Sequence, residues 1–286
     1  MKYRHSYHAG NFADVHKHVA LLGLLAALKK KDKGFLCLDT HAGRGSYDLS
    51  SPSAEAATGI ARFLQMQHVA PELRAYAELV RGFRAGAGQT HRYPGSPLIA
   101  ALELRAQDRL VLVEFLGAEM HALEAALASV ADARGPERPA VRVERGDGFE
   151  RLRAFLPPAE RRGLTLLDPP YERDDDFARV TMALAEGLRR FPTGVFAAWY
   201  PIKEEQAIRR WHDSCVQALR APLLVSELWL YPRDSRVSLN GSGLLIVNPP
   251  WLTLERMRQW LPEMQAALTV GAGAGSRATM LSESPT

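Results

Sequence analysis

Apolar positions recur along the chain with two different periods. Behind Asn11 and Asp14, which stand at capping-box spacing, Val15, Val19, Leu22 and Leu25 repeat at helical intervals. This predicts a helix running to Lys31 and stopped by Gly34. The next stretch, Gly34 to Thr40, is short, almost wholly apolar and bounded by turn residues, as a strand buried on both faces would be. Four more segments read the same way, 109–115, 140–145, 163–168 and 194–200, with helical patterns between them. Such alternation predicts βαβ units and a parallel sheet with helices on both faces. Two last apolar segments, 223–231 and 243–248, are joined by a polar loop containing Asn240-Gly241 and no helix, so they must form an antiparallel pair. The expected fold is therefore α/β and Rossmann-like, with five parallel strands and a closing hairpin making seven.

The rhythm breaks between Ser51 and Arg92. Two short helical patterns, 54–67 and 71–83, precede a Gly86-Ala-Gly88 linker there, and residues 51–92 are expected to be an inserted helical subdomain. Residues 1–50 and 93–270 would form the domain that carries it. Residues 271–286 begin with alternating Gly and Ala, continue with Ser, Thr and Pro, and have no apolar period, which predicts a mobile tail.

Composition narrows the class. Of 286 residues, 47% are hydrophobic and 24% charged, which suits a globular protein and excludes a disordered or fibrous one. No apolar run reaches the roughly 18 residues of a membrane helix. Lys2, Arg4 and His5 stand where a signal peptide would need apolar residues, so no membrane partner and a cytoplasmic location are expected. Cys37 and Cys215 each lie alone in apolar stretches and are expected to be buried thiols rather than a disulfide or zinc site. The net charge of +4 is modest, but Lys2, Arg4, Lys17 and four of the nine histidines crowd the first eighteen residues beside Tyr3, Tyr7 and Phe12. Cations interleaved with aromatic rings suit contact with phosphates and bases, although a solvated arm is an equally simple reading.

The residues that carry chemistry fall at strand ends. Asp39-Thr-His-Ala-Gly43-Arg-Gly45 follows the first strand, where a Gly-rich turn lets the backbone approach a nucleoside-like ligand. Glu114 ends the second strand and is the candidate acceptor for ribose hydroxyls. It lies 69 positions after Gly45, or 27 once the 42 residues of the insertion are removed, close to the usual separation of about 20. Tyr93-Pro-Gly-Ser-Pro97 predicts a helix start with Ser96 as N-cap and Pro97 first inside, whose N–H groups suit a carboxylate. Asp147, in Gly146-Asp-Gly148 after the third strand, is either an acceptor for an adenine amine or an ordinary turn.

Most telling is Asp168-Pro-Pro-Tyr171 at the carboxyl end of the fourth strand. Two prolines remove backbone donors, so Asp168 and the Pro169 carbonyl make a rigid edge of acceptors, matched to an amino group with two N–H bonds. Tyr171 offers a face on which a base can stack. A second copy of the pattern, Asn248-Pro-Pro-Trp251, follows the antiparallel strand, which puts it at the opposite edge of the sheet and leaves it a strand stop.

Together with the Tyr3-Arg-His-Ser-Tyr-His-Ala-Gly-Asn11 start, these motifs closely resemble the ribosomal RNA large subunit methyltransferase J family, over nearly the whole chain to about Leu268. The resemblance implies a seven-stranded methyltransferase fold and methylation of N6 of a single adenine of 23S rRNA, with S-adenosylmethionine as cofactor. It also implies that His18, His41, Ser96, Glu114, Asp147 and Gly148 contact the cofactor and that Asp168 is catalytic, beside Pro169 and Tyr171. Tyr3 and Lys17 match family positions and, with Arg4, are the candidate RNA contacts. A monomer acting on naked or partly assembled rRNA is expected.

Three other readings compete. His5, His8, His16 and His18 are close in sequence, but no carboxylate or Cys set completes a tetrahedral site, and no metal is expected. A DNA adenine methyltransferase would share the Asp-Pro-Pro-Tyr chemistry yet usually adds a larger recognition domain. A non-enzymatic RNA-binding or ribosome-assembly protein would need the basic arm but not Asp168.

Overall fold

A computed structural model describes residues 8–51, 53–86, 90–232, 235, 239–269 and 271–283. Helix α1 (Phe12–Lys29) begins as its sequence demands. Asn11 is the extended N-cap and its Oδ1 accepts from Asp14 N at 3.0 Å, while Asp14 Oδ2 accepts from Gly10 N at 2.9 Å. Two otherwise orphaned donors are thereby satisfied. Every residue from Phe12 to Leu22 is buried, charged and polar ones included, because α1 runs through the interior rather than along the surface.

The main sheet holds β1 (Leu36–Asp39), β4 (Arg109–Glu114), β5 (Ala140–Arg145), β6 (Gly163–Leu167), β7 (Val195–Ile202), β8 (Leu223–Trp229), β9 (Gly241–Val247) and β10 (Gly275–Ser282). Their order is β10-β8-β9-β7-β6-β1-β4-β5. The first five expected strands are parallel, β9 is antiparallel to both β7 and β8, and the hairpin closes the sheet as expected. Four helices link the parallel strands and the hairpin: α4 (Gly117–Arg134), α5 (Gly148–Phe155), α6 (Asp176–Arg190) and α7 (Glu205–Leu219). Chain connections leave β1 toward β4 on one side and toward β6 on the other, so the crevice where the order reverses lies over the carboxyl ends of these strands.

Two expectations fail here. The sheet has eight strands, not seven, because β10, within the segment expected to be a mobile tail, pairs antiparallel with β8 along its length. Its hold on the sheet is polar: Arg277 Nε lies 2.6 Å from Glu227 Oε2 on β8, and Glu227 is only 2% exposed. Apolar periodicity gave no sign of it. The 140–145 segment is also not buried on both faces, since β5 forms the sheet edge and is largely exposed.

The 51–92 segment contains short helical pieces over 54–65 and helix α2 (Pro71–Gly86), and its ends are tied by a two-stranded ladder, β2 (Ser46–Asp48) with β3 (Arg92–Pro94). It has no separate core. Phe63, Leu73, Tyr76, Ala77 and Val80 join one hydrophobic cluster with α1 and with Met257, Trp260 and Met264 of α8 (Thr253–Leu268). Helix α3 (Ser96–Glu103) follows β3 and packs on α1. Cys37 and Cys215 are buried thiols as expected.

Candidate active site

Three strand ends supply the crevice. After β1 the chain turns through Gly43 (φ +64) and Gly45 (φ +76), conformations that other residues adopt only with strain. This turn brings the Gly43 N–H to Glu114 Oε2 at 2.8 Å, and Leu116 N–H meets Oε1 at 2.8 Å. Glu114, at the end of β4 and 8% exposed, is therefore oriented by two backbone donors, while each oxygen keeps a second lone pair for a ligand hydroxyl. Asp39 is more deeply buried. Burial pushes its carboxyl up to about 6, against the pull of hydrogen bonds from Ser96 Oγ at 2.6 Å and His41 N at 3.1 Å.

Ser96 is thus not an N-cap. Gly95 caps α3, Ser96 occupies the first helical position, and its hydroxyl donates across to Asp39 instead of to its own helix. His41 packs its ring on the edge of Phe149 at 4.9 Å, and burial pushes it down to about 4, so it is a neutral imidazole at physiological pH. Asp147 caps α5, accepting from Phe149 N at 2.8 Å and Glu150 N at 3.4 Å, and its other oxygen accepts from Arg179 at 3.0 Å. Gly148 is required by packing: a Cβ there would stand 1.9 Å from the Thr40 carbonyl oxygen. It locks the start of α5 against the end of β1.

At the end of β6, Asp168 meets a partner that sequence reasoning assigned elsewhere. Lys17 Nζ lies 2.5 Å from Asp168 Oδ2 and 2.8 Å from Asp14 Oδ1. The three side chains are 5%, 9% and 9% exposed, and Lys17 also stands 5.8 Å over the Trp199 ring of β7. Burial alone would lower the Lys17 ammonium, but the two carboxylates outweigh it and raise it well above the usual lysine range. Lys17 is therefore not a surface cation available to RNA phosphates; it fixes one oxygen of Asp168, and no described residue donates to the other. The signal was present in the sequence: an Asp14/Lys17 pair one turn apart inside a run of apolar positions.

Tyr171 takes the left-handed backbone conformation (φ +49), and its hydroxyl donates to the Trp199 carbonyl at 2.6 Å. Its ring packs against Phe177 and Trp199 at 4.8 and 5.8 Å, and Pro169 beneath it is buried. His18 is 1% exposed and hydrogen-bonds Tyr93 at 2.8 Å. Tyr3 and Arg4 lie outside the described residues. Asn248 sits where strand direction put it, at the start of β7, donating to the Pro192 and Gly194 carbonyls at 2.8 and 2.9 Å on the edge opposite Asp168. Among the described residues no group of three His, Cys, Asp or Glu side chains is placed to hold a metal ion.

A reversing parallel sheet closed by an antiparallel hairpin, with carboxylates at the ends of β1, β4 and β6, defines a Rossmann-like methyltransferase. Within that class, the chain belongs to the family described as Ribosomal RNA large subunit methyltransferase D, RlmJ, whose model matches residues 32–280. It is 44% identical to Ribosomal RNA large subunit methyltransferase J of Escherichia coli (strain K12) over 280 residues, 96% of each chain. The protein of that name from Haemophilus influenzae is 38% identical over 96% of each chain. The crystal structure of protein LPL1258 from Legionella pneumophila superposes with a TM-score of 0.83 at 32% identity, covering 97% of this chain and 99% of that one. The family match continues through most of β10, beyond the Leu268 limit drawn from motifs.

Proposed function

We propose that this chain transfers a methyl group from S-adenosylmethionine to the exocyclic N6 of one adenine in 23S ribosomal RNA. The observation that carries this reading is the edge formed by Asp168 and Pro169, held by Lys17 and flanked by Tyr171. Asp168 Oδ1 and the Pro169 carbonyl are two acceptors fixed near one plane, matched to the two N–H bonds of an aromatic amine. Accepting both withdraws the nitrogen lone pair from the ring and aims it, which an adenine amine needs before it can act as a nucleophile. Tyr171 keeps the base from tilting. Asp168 serves as acceptor and orienter, and the proton released on transfer leaves through Oδ1.

The donor set suits the cofactor. Glu114 has free lone pairs for a ribose diol, and the carboxylates of Asp39, Glu114 and Asp168 at one sheet edge favour a sulfonium cation over a neutral or anionic ligand. S-adenosylmethionine supplies an electrophilic methyl; His18, His41, Ser96, Glu114, Asp147 and Gly148 are the residues we assign to hold it. Residues 51–92 remain an insertion in this reading, one that shares the core of the catalytic domain, and the N-terminal segment with Tyr3 and Arg4 is assigned to RNA.

Replacement of Asp168 by Asn tests the reading. Methyl transfer from labelled cofactor to a 23S rRNA transcript should fall by at least ~10³-fold, in the range of losing a preorganised transition-state contact, while cofactor affinity changes little. Wild-type turnover in a folded Asp168→Asn protein would refute the assigned role.

A further inference from the structure

A chain of buried hydroxyls joins the inserted segment to α1. Tyr76 on α2, Tyr93 on β3 and His18 on α1 are 0%, 0% and 1% exposed. The Tyr76 and Tyr93 hydroxyl oxygens lie 2.8 Å apart, Tyr93 Oη lies 2.8 Å from His18 Nδ1, and Tyr76 Oη lies 3.5 Å from the same nitrogen. The rings stand 6.2 and 5.8 Å from the imidazole, too far for stacking to explain the arrangement.

Proton accounting fixes the direction of these bonds. Each phenol has one proton to give, and a buried donor left without an acceptor is costly. The Tyr76 hydroxyl finds its acceptors in Tyr93 and, more distantly, His18. With Tyr76 donating to Tyr93, the Tyr93 proton goes to His18 Nδ1. That nitrogen must then be an acceptor, which leaves Nε2 as the protonated nitrogen. The opposite tautomer would send Nδ1–H to Tyr93, Tyr93 to Tyr76, and the Tyr76 proton to no described acceptor.

We propose that Tyr76 and Tyr93 are positioning residues for the methyl donor: they hold His18 as the Nε2–H tautomer, so that it presents a donor to an acceptor group of that ligand. The proposal rests on the assignment of His18 to the cofactor site, and it gives the inserted segment a part in cofactor binding through Tyr76. A histidine of fixed tautomer binds an acceptor group without first reorganising, so the effect falls on affinity rather than on the chemical step.

The test combines a spectroscopic and a binding readout on the full chain. Long-range ¹H–¹⁵N correlation of histidine-labelled protein, with His18 assigned from a His18→Gln variant, should show the Nε2–H tautomer in the unaltered protein. Tyr76→Phe keeps the Tyr93–His18 bond and should bind S-adenosylmethionine nearly as the wild type does. Tyr76→Phe combined with Tyr93→Phe removes both donors; it should show a mixed tautomer and bind about tenfold more weakly, the weight of one hydrogen bond, with the KM for the cofactor raised and kcat unchanged. An Nδ1–H signal for His18 in the unaltered chain overturns the proposal whatever the variants do, and so does undiminished affinity in a folded double variant. Undiminished affinity in His18→Gln would instead refute the assignment of His18 while leaving the tautomer result standing.

Discussion

At the scale of single residues, the site is organised by a buried cation. Lys17 touches both Asp14 and Asp168, and removing it leaves two carboxylates in the interior without a counter-charge. Lys17→Met should therefore cost about 3–5 kcal/mol, the usual penalty for stranding buried charge, read from denaturant unfolding. It should also lose methyl transfer; a stable and active Lys17→Met protein would mean that the ion pair does no positioning. Tyr171→Phe keeps the ring but loses the bond to the Trp199 carbonyl, so modest effects are expected, whereas Tyr171→Ala should lower turnover at least about tenfold, the low end of base–aromatic stacking. Much of this was legible in the sequence, because Asp168-Pro-Pro-Tyr171 encodes its own rigidity. The partner of Asp168 was not, since nothing in local spacing shows that residue 17 packs on residue 168. Ser96 was misjudged for the same reason: as an N-cap it would have needed only its own helix, and the carboxylate it bonds belongs to a strand 57 positions away.

At the scale of elements, two polar contacts hold parts of the sheet that apolar patterning does not specify. Arg277→Ala should loosen β10, because Glu227 would lose a charge-assisted bond worth ~2 kcal/mol and keep the Tyr200 hydroxyl. Hydrogen exchange in β8 should accelerate; unchanged exchange would show that the backbone ladder alone holds the strand. The tail was illegible because its strand is half-buried throughout, with Ala278 and Met280 facing one hydrophobic cluster and Leu281 another, and no continuous apolar run. The other contact lies where α1 meets β8 and β9. His16 bonds Ser242 and Ser226, both at 2.9 Å, and burial pushes it down to about 3. A depressed histidine adds stability above its unfolded value near 6.5, and that stability is lost as pH falls toward 3. The loss should be roughly 1.4 kcal/mol per pH unit, and His16→Gln should flatten the pH dependence over this window. His41 acts in the same sense down to about 4, and Asp39, raised to about 6, acts in the opposite sense between there and 3.8, so the difference between variant and wild type is the informative quantity.

At the scale of the whole molecule, strand direction decides which of two similar motifs can react. Asp168 ends a parallel strand beside β1, and Asn248 ends an antiparallel one whose carboxyl terminus meets the start of β7. Helix-length gaps between apolar runs and the helix-free loop before β9 are enough to derive that difference from sequence, which is why the crevice was legible when its individual contacts were not. Asn248→Ala should leave turnover intact and cost only stability. What remains is the chemistry itself, and the identity of the methylated atom tests it most directly. We expect 23S rRNA treated with the enzyme and S-adenosylmethionine, digested to nucleosides and analysed by mass spectrometry, to contain one new N6-methyladenosine, mapping to an adenine able to leave its stack. A 1-methyladenosine, a methylcytidine or a 2′-O-methylated nucleoside as the main product would contradict the account, because none of those targets presents the pair of N–H donors that Asp168 and Pro169 are built to accept.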